Sequence, residues 1–136
     1  QYITIQKLFT GDRIAFTYRI RKSLMEHKVP KLLLQPLVEN AILHGLKGSA
    51  HGVIRITVRP RNANMEIRVT DNGCGFSDNQ LLTIRRELEN DDLSYGKSLG
   101  LKNVDHRLKL LYGKDYGLRI RTKQGFGSSI SIFVPL

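Results

Sequence analysis

The stretch LQPLVENAILHG, Leu34 to Gly45, decides how this chain is read. Leu34, Leu37, Val38, Ala41 and Ile42 recur at helical spacing and make one apolar face. Glu39, Asn40 and His44 make a second, polar face. Asn40 and His44 stand one turn apart and point the same way. An ordinary solvated helix face carries Lys and Glu. This one presents a carboxylate, an amide and an imidazole just before a glycine, so the helix is expected to do chemistry as well as pack.

Working outward, Val29-Pro30 breaks the chain before this helix, which is predicted to run from about Lys31 to Leu46. Upstream, RIAFTYRI alternates Ile14, Phe16, Tyr18 and Ile20 and reads as a strand. QYITIQKLF reads as the end of a helix entering from further upstream. Downstream, LKGSAHG is turn-rich. Two strands follow, Val53 to Arg59 and Met65 to Thr70, joined by PRNAN as a hairpin with a somewhat long turn. DNGCGFSDN is a glycine-rich loop whose Ser77 or Asp78 can cap a helix from about Asn79 to Glu89. NDDLSYGKSLG is a polar loop. Leu101, Val104, Leu108 and Leu111 then form another helical stripe, ending near Gly113. Two further strands, Gly117 to Thr122 and Ser128 to Val134, flank KQGFG. The order of elements predicts a two-layer α/β sandwich, a mixed sheet of about five strands with three main helices on one face.

The composition fits one globular domain. A chain of 136 residues, 40% hydrophobic and 25% charged, is long enough to bury a core. No apolar run approaches the ~20 residues of a membrane span. The first residue is Gln1 rather than Met, as expected of a piece cut from a longer protein whose membrane anchor would lie elsewhere. The single cysteine, Cys74, excludes an internal disulfide and fits a reducing compartment. Between the loop glycines it reads as a small filler, since no neighbouring motif activates a thiol. Lys and Arg number 22 against 12 acids, a formal charge of +10. Such a chain attracts polyanions. The bases are dispersed, however, and no zinc-finger or helix-turn-helix pattern supports nucleic-acid reading.

Three polar, glycine-associated sites interrupt the elements: the Asn40/His44 helix face, Asp71-Asn72-Gly73-Cys74-Gly75, and Gly96-Lys97-Ser98-Leu99-Gly100 leading into a helix. Glycines let backbone N–H groups approach a ligand. A glycine loop feeding a helix N-terminus can hold phosphate. Neither loop follows the Walker or dinucleotide-binding pattern, and each alone is a common turn.

In this order, the three sites resemble the ATP-binding catalytic domain of sensor histidine kinases, whose Bergerat-type fold is shared with gyrase, mismatch-repair and heat-shock-chaperone ATPases. LVENAILHG resembles the N box, DNGCGF the first glycine box, and GKSLGLKNVDHRLKLLYG the second with its following helix. GFGSSISIFVP is similar to the terminal glycine turn and strand. PKLLLQPLVENA and NVDHRLKLLYG resemble the LytS/YesM-type branch. The likeness implies an upstream dimerisation or linker helix ending within residues 1–10 and an ATP-binding catalytic domain over residues 11–136. It implies ATP and Mg²⁺ as cofactors. Asn40 would hold the metal through its amide oxygen, as suits an ion that takes hard oxygens and keeps waters. Glu39 would organise metal-bound water or serve as a structural carboxylate. His44 would donate to a phosphate. Asp71 would accept from the exocyclic amine of adenine, with Gly73 and Gly75 keeping the loop close to the base and Ser128 supporting Asp71. Gly96, Lys97, Gly100, Leu101, Lys102 and Arg107 would surround the phosphates. Ser98 departs from the glycine that many relatives carry there.

Gyrase-like relatives place a hydrolytic acid one turn before the N-box asparagine. Here that position is Pro36, which cannot take a proton, so the resemblance implies phosphoryl transfer to another nucleophile. The expected acceptor is a histidine on an upstream helical dimerisation segment, because none of the four histidines here lies in an acceptor-like context. A response regulator would follow in the relay. The parent protein is expected to be homodimeric and anchored in a bacterial membrane, with this domain cytoplasmic. Two other readings compete: an anti-sigma-type serine kinase of the same fold, and a basic nucleic-acid-binding module.

Overall fold

The computed structural model describes residues 14–24, 31–46, 51–89 and 99–136. The helix end expected within residues 1–10, the break at Pro30 and the loop holding Gly96, Lys97 and Ser98 lie outside the described residues.

Strand β1 (Ile14–Ile20) leads through a short 3-10 turn (Lys22–Leu24) towards helix α1 (Lys31–Asn40). A wider π turn (Ala41–Gly45) continues α1. Strands β2 (Gly52–Arg61) and β3 (Asn64–Asp71) form a hairpin, followed by α2 (Asp78–Glu89) and α3 (Leu99–Tyr112). A second hairpin, β4 (Arg119–Lys123) and β5 (Gly127–Pro135), completes the order. The five strands make one sheet in the order β1-β2-β3-β5-β4. β1 pairs parallel to β2, with Ile14 opposite Gly52, and all other pairings are antiparallel. The sheet is therefore mixed: β1, α1 and β2 form a parallel crossover, and β5 inserts beside β3.

Side-chain alternation separates the two faces of the sheet. Ile54 and Ile56 of β2, Met65, Ile67 and Val69 of β3, and Ile130, Ile132 and Val134 of β5 are buried towards the helices. Against them pack Leu33, Leu37, Val38, Ala41 and Ile42 of α1 and its π turn, Ile84 of α2, and Leu101, Val104 and Leu108 of α3. The helices thus cover one face, and the molecule is the expected two-layer α/β sandwich. Arg55, Arg59, Arg68, Arg119 and Arg121 alternate onto the other face.

Four local expectations are corrected. The helix through Asn40 does not stay α-helical to Leu46: the Leu46 N–H donates to the Ala41 carbonyl at 3.0 Å, a widened turn. The apolar face of α1 includes Leu33, fully buried, while Leu34 is only half-buried. The β2–β3 connection is a tight turn at Asn62 and Ala63, because pairing extends out to Arg61 opposite Asn64. Asn62 takes the left-handed conformation, φ 57°, that such turns require. Finally, Leu111 is 54% exposed and drops out of the α3 stripe.

Candidate functional site

Asp71 ends β3 on the helix-facing side of the sheet and is 5% exposed. Its Oδ1 accepts the Gly73 N–H at 2.9 Å, a local turn that an aspartate makes two residues ahead. The backbone N–H of Ser128, its register partner on β5, also donates to this carboxylate. Burial pushes the Asp71 carboxyl above its ordinary 3.8, against the pull of those two N–H donors. A carboxylate offers about four lone-pair positions. Two backbone donors fix its orientation and leave acceptor capacity for a ligand. Ser128 supports Asp71 through its main chain, while its hydroxyl lies 3.0 Å from Thr122 Oγ1.

The loop after Asp71 is fastened to the β4–β5 turn. Thr122 Oγ1 accepts the Phe76 N–H at 2.7 Å and donates to the Gly127 carbonyl at 3.1 Å. The Gly125 N–H donates to the Cys74 carbonyl at 2.7 Å. Two glycines permit this closeness. A Cβ on Gly75, φ +69°, would sit 2.5 Å from the Lys123 carbonyl oxygen. One on Gly127, φ +136°, would sit 2.1 Å from the Asp71 carbonyl oxygen. Asn72 turns back to β2, where its Oδ1 accepts the Val53 N–H at 2.7 Å. Thr122 was not singled out from sequence, and Asn72 and Gly127 were quoted there only as parts of their glycine turns. The available signal was the hairpin register, which places Thr122 opposite Ser128.

A second arrangement lies at the end of α1. Asn40 and His44 open onto a cleft of about 370 Å³, faced by Phe76, Thr83 and Glu87 on the α2 side and by Leu101 of α3. The π turn keeps Asn40 and His44 on a common side even though the last turn is not α-helical. Cys74 of the first glycine loop reaches the same turn, its thiol donating to the His44 carbonyl at 3.6 Å. Glu39 accepts from Gln35 Nε2 at 3.1 Å. The start of α3 approaches α1 at Pro36: a Cβ on Gly100 would lie 3.7 Å from the Pro36 Cβ.

The structure therefore brings Asn40, His44 and Leu101 together around one cleft and Asp71, Gly73, Gly75 and Ser128 together beside it. Asp71 does not line that cleft. Lys102, in the first turn of α3, is 2% exposed. Arg107 is exposed on α3. Gly96 and Lys97 lie outside the described residues.

The donor set bears on metal binding. Among the described residues no three His, Cys, Asp or Glu side chains converge into a metal cage. Mg²⁺ in nucleotide sites uses one or two protein oxygens, substrate phosphates and water. A lone amide oxygen at Asn40 beside an open cleft fits that use and does not fit a dedicated all-protein site.

Comparison with known proteins places the chain in a family. Residues 27–136 match the family model described as "Histidine kinase-, DNA gyrase B-, and HSP90-like ATPase". The chain is 36% identical over 135 residues to the sensor histidine kinase YpdA of Escherichia coli K12, covering 98% of this chain and 22% of that protein. It is 33% identical over 137 residues to the sensor protein kinase HptS of Staphylococcus aureus RF122, covering 100% of this chain and 26% of that protein. The chain thus spans about a quarter of the length of those relatives. The catalytic domain of histidine kinase ThkA superposes with a TM-score of 0.72 at 17% identity, over 98% of this chain and 86% of that one. The histidine kinase domain of the Erythrobacter litoralis EL346 blue-light activated kinase gives 0.65, also at 17% identity, over 99% of this chain and 57% of that one. With its mixed five-stranded sheet, its helices on one face and a match running through every candidate site residue, this chain belongs to the histidine kinase-, DNA gyrase B- and HSP90-like ATPase family.

Proposed function

We propose that this chain is the catalytic domain of a sensor histidine kinase, binding Mg-ATP and donating the γ-phosphoryl group to a histidine on an upstream helical segment. The observation that carries the reading is the buried Asp71 carboxylate, oriented by the Gly73 and Ser128 N–H groups at the start of a loop whose Cys74 thiol donates to the His44 carbonyl and whose Phe76 lines the Asn40 cleft. Asp71 accepts from the adenine amine, a group guanine lacks at that position. Gly73 and Gly75 keep the backbone low over the base. Asn40 contributes an oxygen to Mg²⁺, and His44 donates to a phosphate oxygen. Gly100, Leu101 and the first turn of α3, with Gly96, Lys97, Lys102 and Arg107, form the phosphate surround. The bound Mg²⁺ supplies neutralisation of phosphate charge.

Pro36 and Glu39 direct the reaction away from water. Pro36 has no acid or base to offer and lies against the start of α3. Glu39 sits next to Asn40 but is rotated about 100° around the helix and is engaged by Gln35. Phosphoryl transfer requires an in-line nucleophile and charge neutralisation at the γ-phosphate. The nucleophile is the acceptor histidine of the parent protein's dimerisation domain, and a response regulator takes the phosphoryl group next. The parent is a homodimeric membrane-anchored kinase that holds this domain in the cytoplasm.

Incubation with γ-labelled ATP tests the proposal. The isolated chain should bind nucleotide yet show little labelled protein and little free phosphate. Adding the upstream helical segment should produce acid-labile, base-stable labelling, and Asn40→Ala should nearly abolish it. Rapid phosphate release by the isolated chain would instead make it a hydrolase, and stable labelling of a serine on an added partner would make it a serine kinase.

A further inference from the structure

We propose that the sheet face turned away from α1, α2 and α3 holds a second anion site, a cleft for a group bearing two or more phosphates, built by Arg61, Arg68, Arg119 and Arg121. This cleft, about 490 Å³, lies across β2, β3, β5 and β4, on the opposite side of the sheet from Asp71 and Asn40. Its volume is in the range that takes a small ligand.

Several features distinguish it from a solvated strand surface. The arginines come from three different strands, yet alternation and register turn them onto one face. Arg68 is fixed at both ends of its guanidinium: it donates to Glu66 Oε2 at 2.8 Å and to Ser131 Oγ at 3.3 Å. Arg59 donates to Glu66 Oε1 at 2.8 Å, and Arg61 approaches the same oxygen at 3.7 Å. Glu66 is 2% exposed, so one carboxylate anchors three guanidinium groups and cannot neutralise them. Arg119 stacks over Phe133 at 5.2 Å, which orients its fork. Among the described residues, no carboxylate lies in salt-bridge contact with Arg119 or Arg121. The cleft's other acid, Asp115, is exposed at its margin. Arg55, Arg19 and Lys123 alternate onto the same face and raise the surrounding potential.

The chemistry selects phosphate. Guanidinium forks bind phosphate oxygens in pairs, and the Ser129 and Ser131 hydroxyls that line the cleft add neutral donors. A rigid sheet holds these donors in advance, so little ordering is needed on binding. The phosphates can belong to a free oligophosphate or to anionic lipid headgroups.

Calorimetry with tripolyphosphate, without Mg²⁺, is the first test, and the variant is Arg119→Gln with Arg121→Gln. Both side chains are exposed, so the fold should stand, which a thermal melt checks. Affinity should fall at least about tenfold, while Arg119→Lys with Arg121→Lys should keep part of it. Binding that is untouched by these changes but lost in His44→Ala, which removes the phosphate donor of the other cleft, overturns the proposal, because the anion then sits in the nucleotide cleft. The second test is sedimentation with phosphatidylcholine vesicles with or without phosphatidylglycerol. Retention on the anionic vesicles alone, lost in the Gln variant, identifies lipid as the source. Tripolyphosphate binding without vesicle retention identifies a free ligand. No binding in either test, or retention on duplex DNA only, overturns the site.

Discussion

Asp71 carries two opposing demands. The proposed contact with the adenine amine calls for the ionised form, yet Asp71 is buried, and burial raises its pKa above the ordinary 3.8. An acid whose native pKa is raised holds its proton longer in the folded state. Its ionisation therefore costs stability as pH climbs from 3.8 through the raised value, and that cost persists at neutral pH. Asp71→Asn should remove the cost and the recognition together. ATP-analogue affinity measured by calorimetry should fall by about 1.5–3 kcal/mol, the range for a hydrogen bond to a charged group. In thermal melts, the variant should unfold above the wild type at pH 7 and lose that advantage as pH approaches 3.8. Unchanged affinity in the folded variant would remove Asp71 from the adenine site. A melt below wild type at pH 7 would mean that its two backbone hydrogen bonds outweigh its burial.

At the level of elements, α2 shows how much a helix can owe to its first turn. Ile84 is its one side chain buried to core level among the described residues. Its N-terminus compensates with a reciprocal cap: Gln80 N–H donates to Ser77 Oγ at 3.1 Å, and Ser77 N–H donates to Gln80 Oε1 at 2.8 Å. Ser77→Ala should cost about 1 kcal/mol in urea unfolding. Ser77 was legible as one of two cap candidates, with Asp78, because a cap is written within one turn of sequence; its reciprocal partner Gln80 was not singled out. The π turn after Asn40 and the tight turn at Asn62 were not legible, because each is chosen by what the flanking segments must pack or pair with. The Thr122 hydroxyl under Phe76 was hidden for the same reason: its partners lie 46 positions away and across a hairpin. The sheet's outer face depends on Glu66. Burial pushes its carboxyl up, but the hydrogen bonds and charges of Arg59 and Arg68 outweigh that and hold it below the ordinary 4.5. A depressed native pKa gives stability that is present above 4.5 and lost as pH falls through the native value. The arginines are partly solvated, so the loss on Glu66→Gln should lie between that of an exposed and a buried pair, about 2 kcal/mol at pH 7 by urea unfolding. The difference should vanish in acid. A constant difference across pH would assign the effect to packing alone.

For the whole molecule, the excess of 22 basic over 12 acidic residues opposes compaction. The sequence shows the excess but not its placement. Only the sheet register reveals that the arginines of β2, β3 and β4 share one face, where their repulsion concentrates. Added salt has two effects of opposite sign. It screens repulsion among exposed charges, whose reach falls from about 10 Å at 0.1 M to about 3 Å at 1 M. It also weakens ion pairs, but the described pairs are anchored on Glu66 and Asp105, whose side chains are 2% and 6% exposed and so are screened least. Repulsion should therefore be the larger loss, and the melting temperature should rise with sodium chloride. A gain of about 1 kcal/mol corresponds to about 4 °C in a domain of this size. The placement of the charge can be separated from its total. Removing Arg119 and Arg121 takes two uncompensated cations from the crowded face, so that double Gln variant should melt above the wild type at low salt. The two proteins should converge as salt approaches 1 M. A control that removes two cations from the helical side, Arg86→Gln with Arg107→Gln, lowers the net charge equally and should gain less. Equal gains would show that only total charge matters, and a melting temperature that falls with salt would show that the ion pairs dominate.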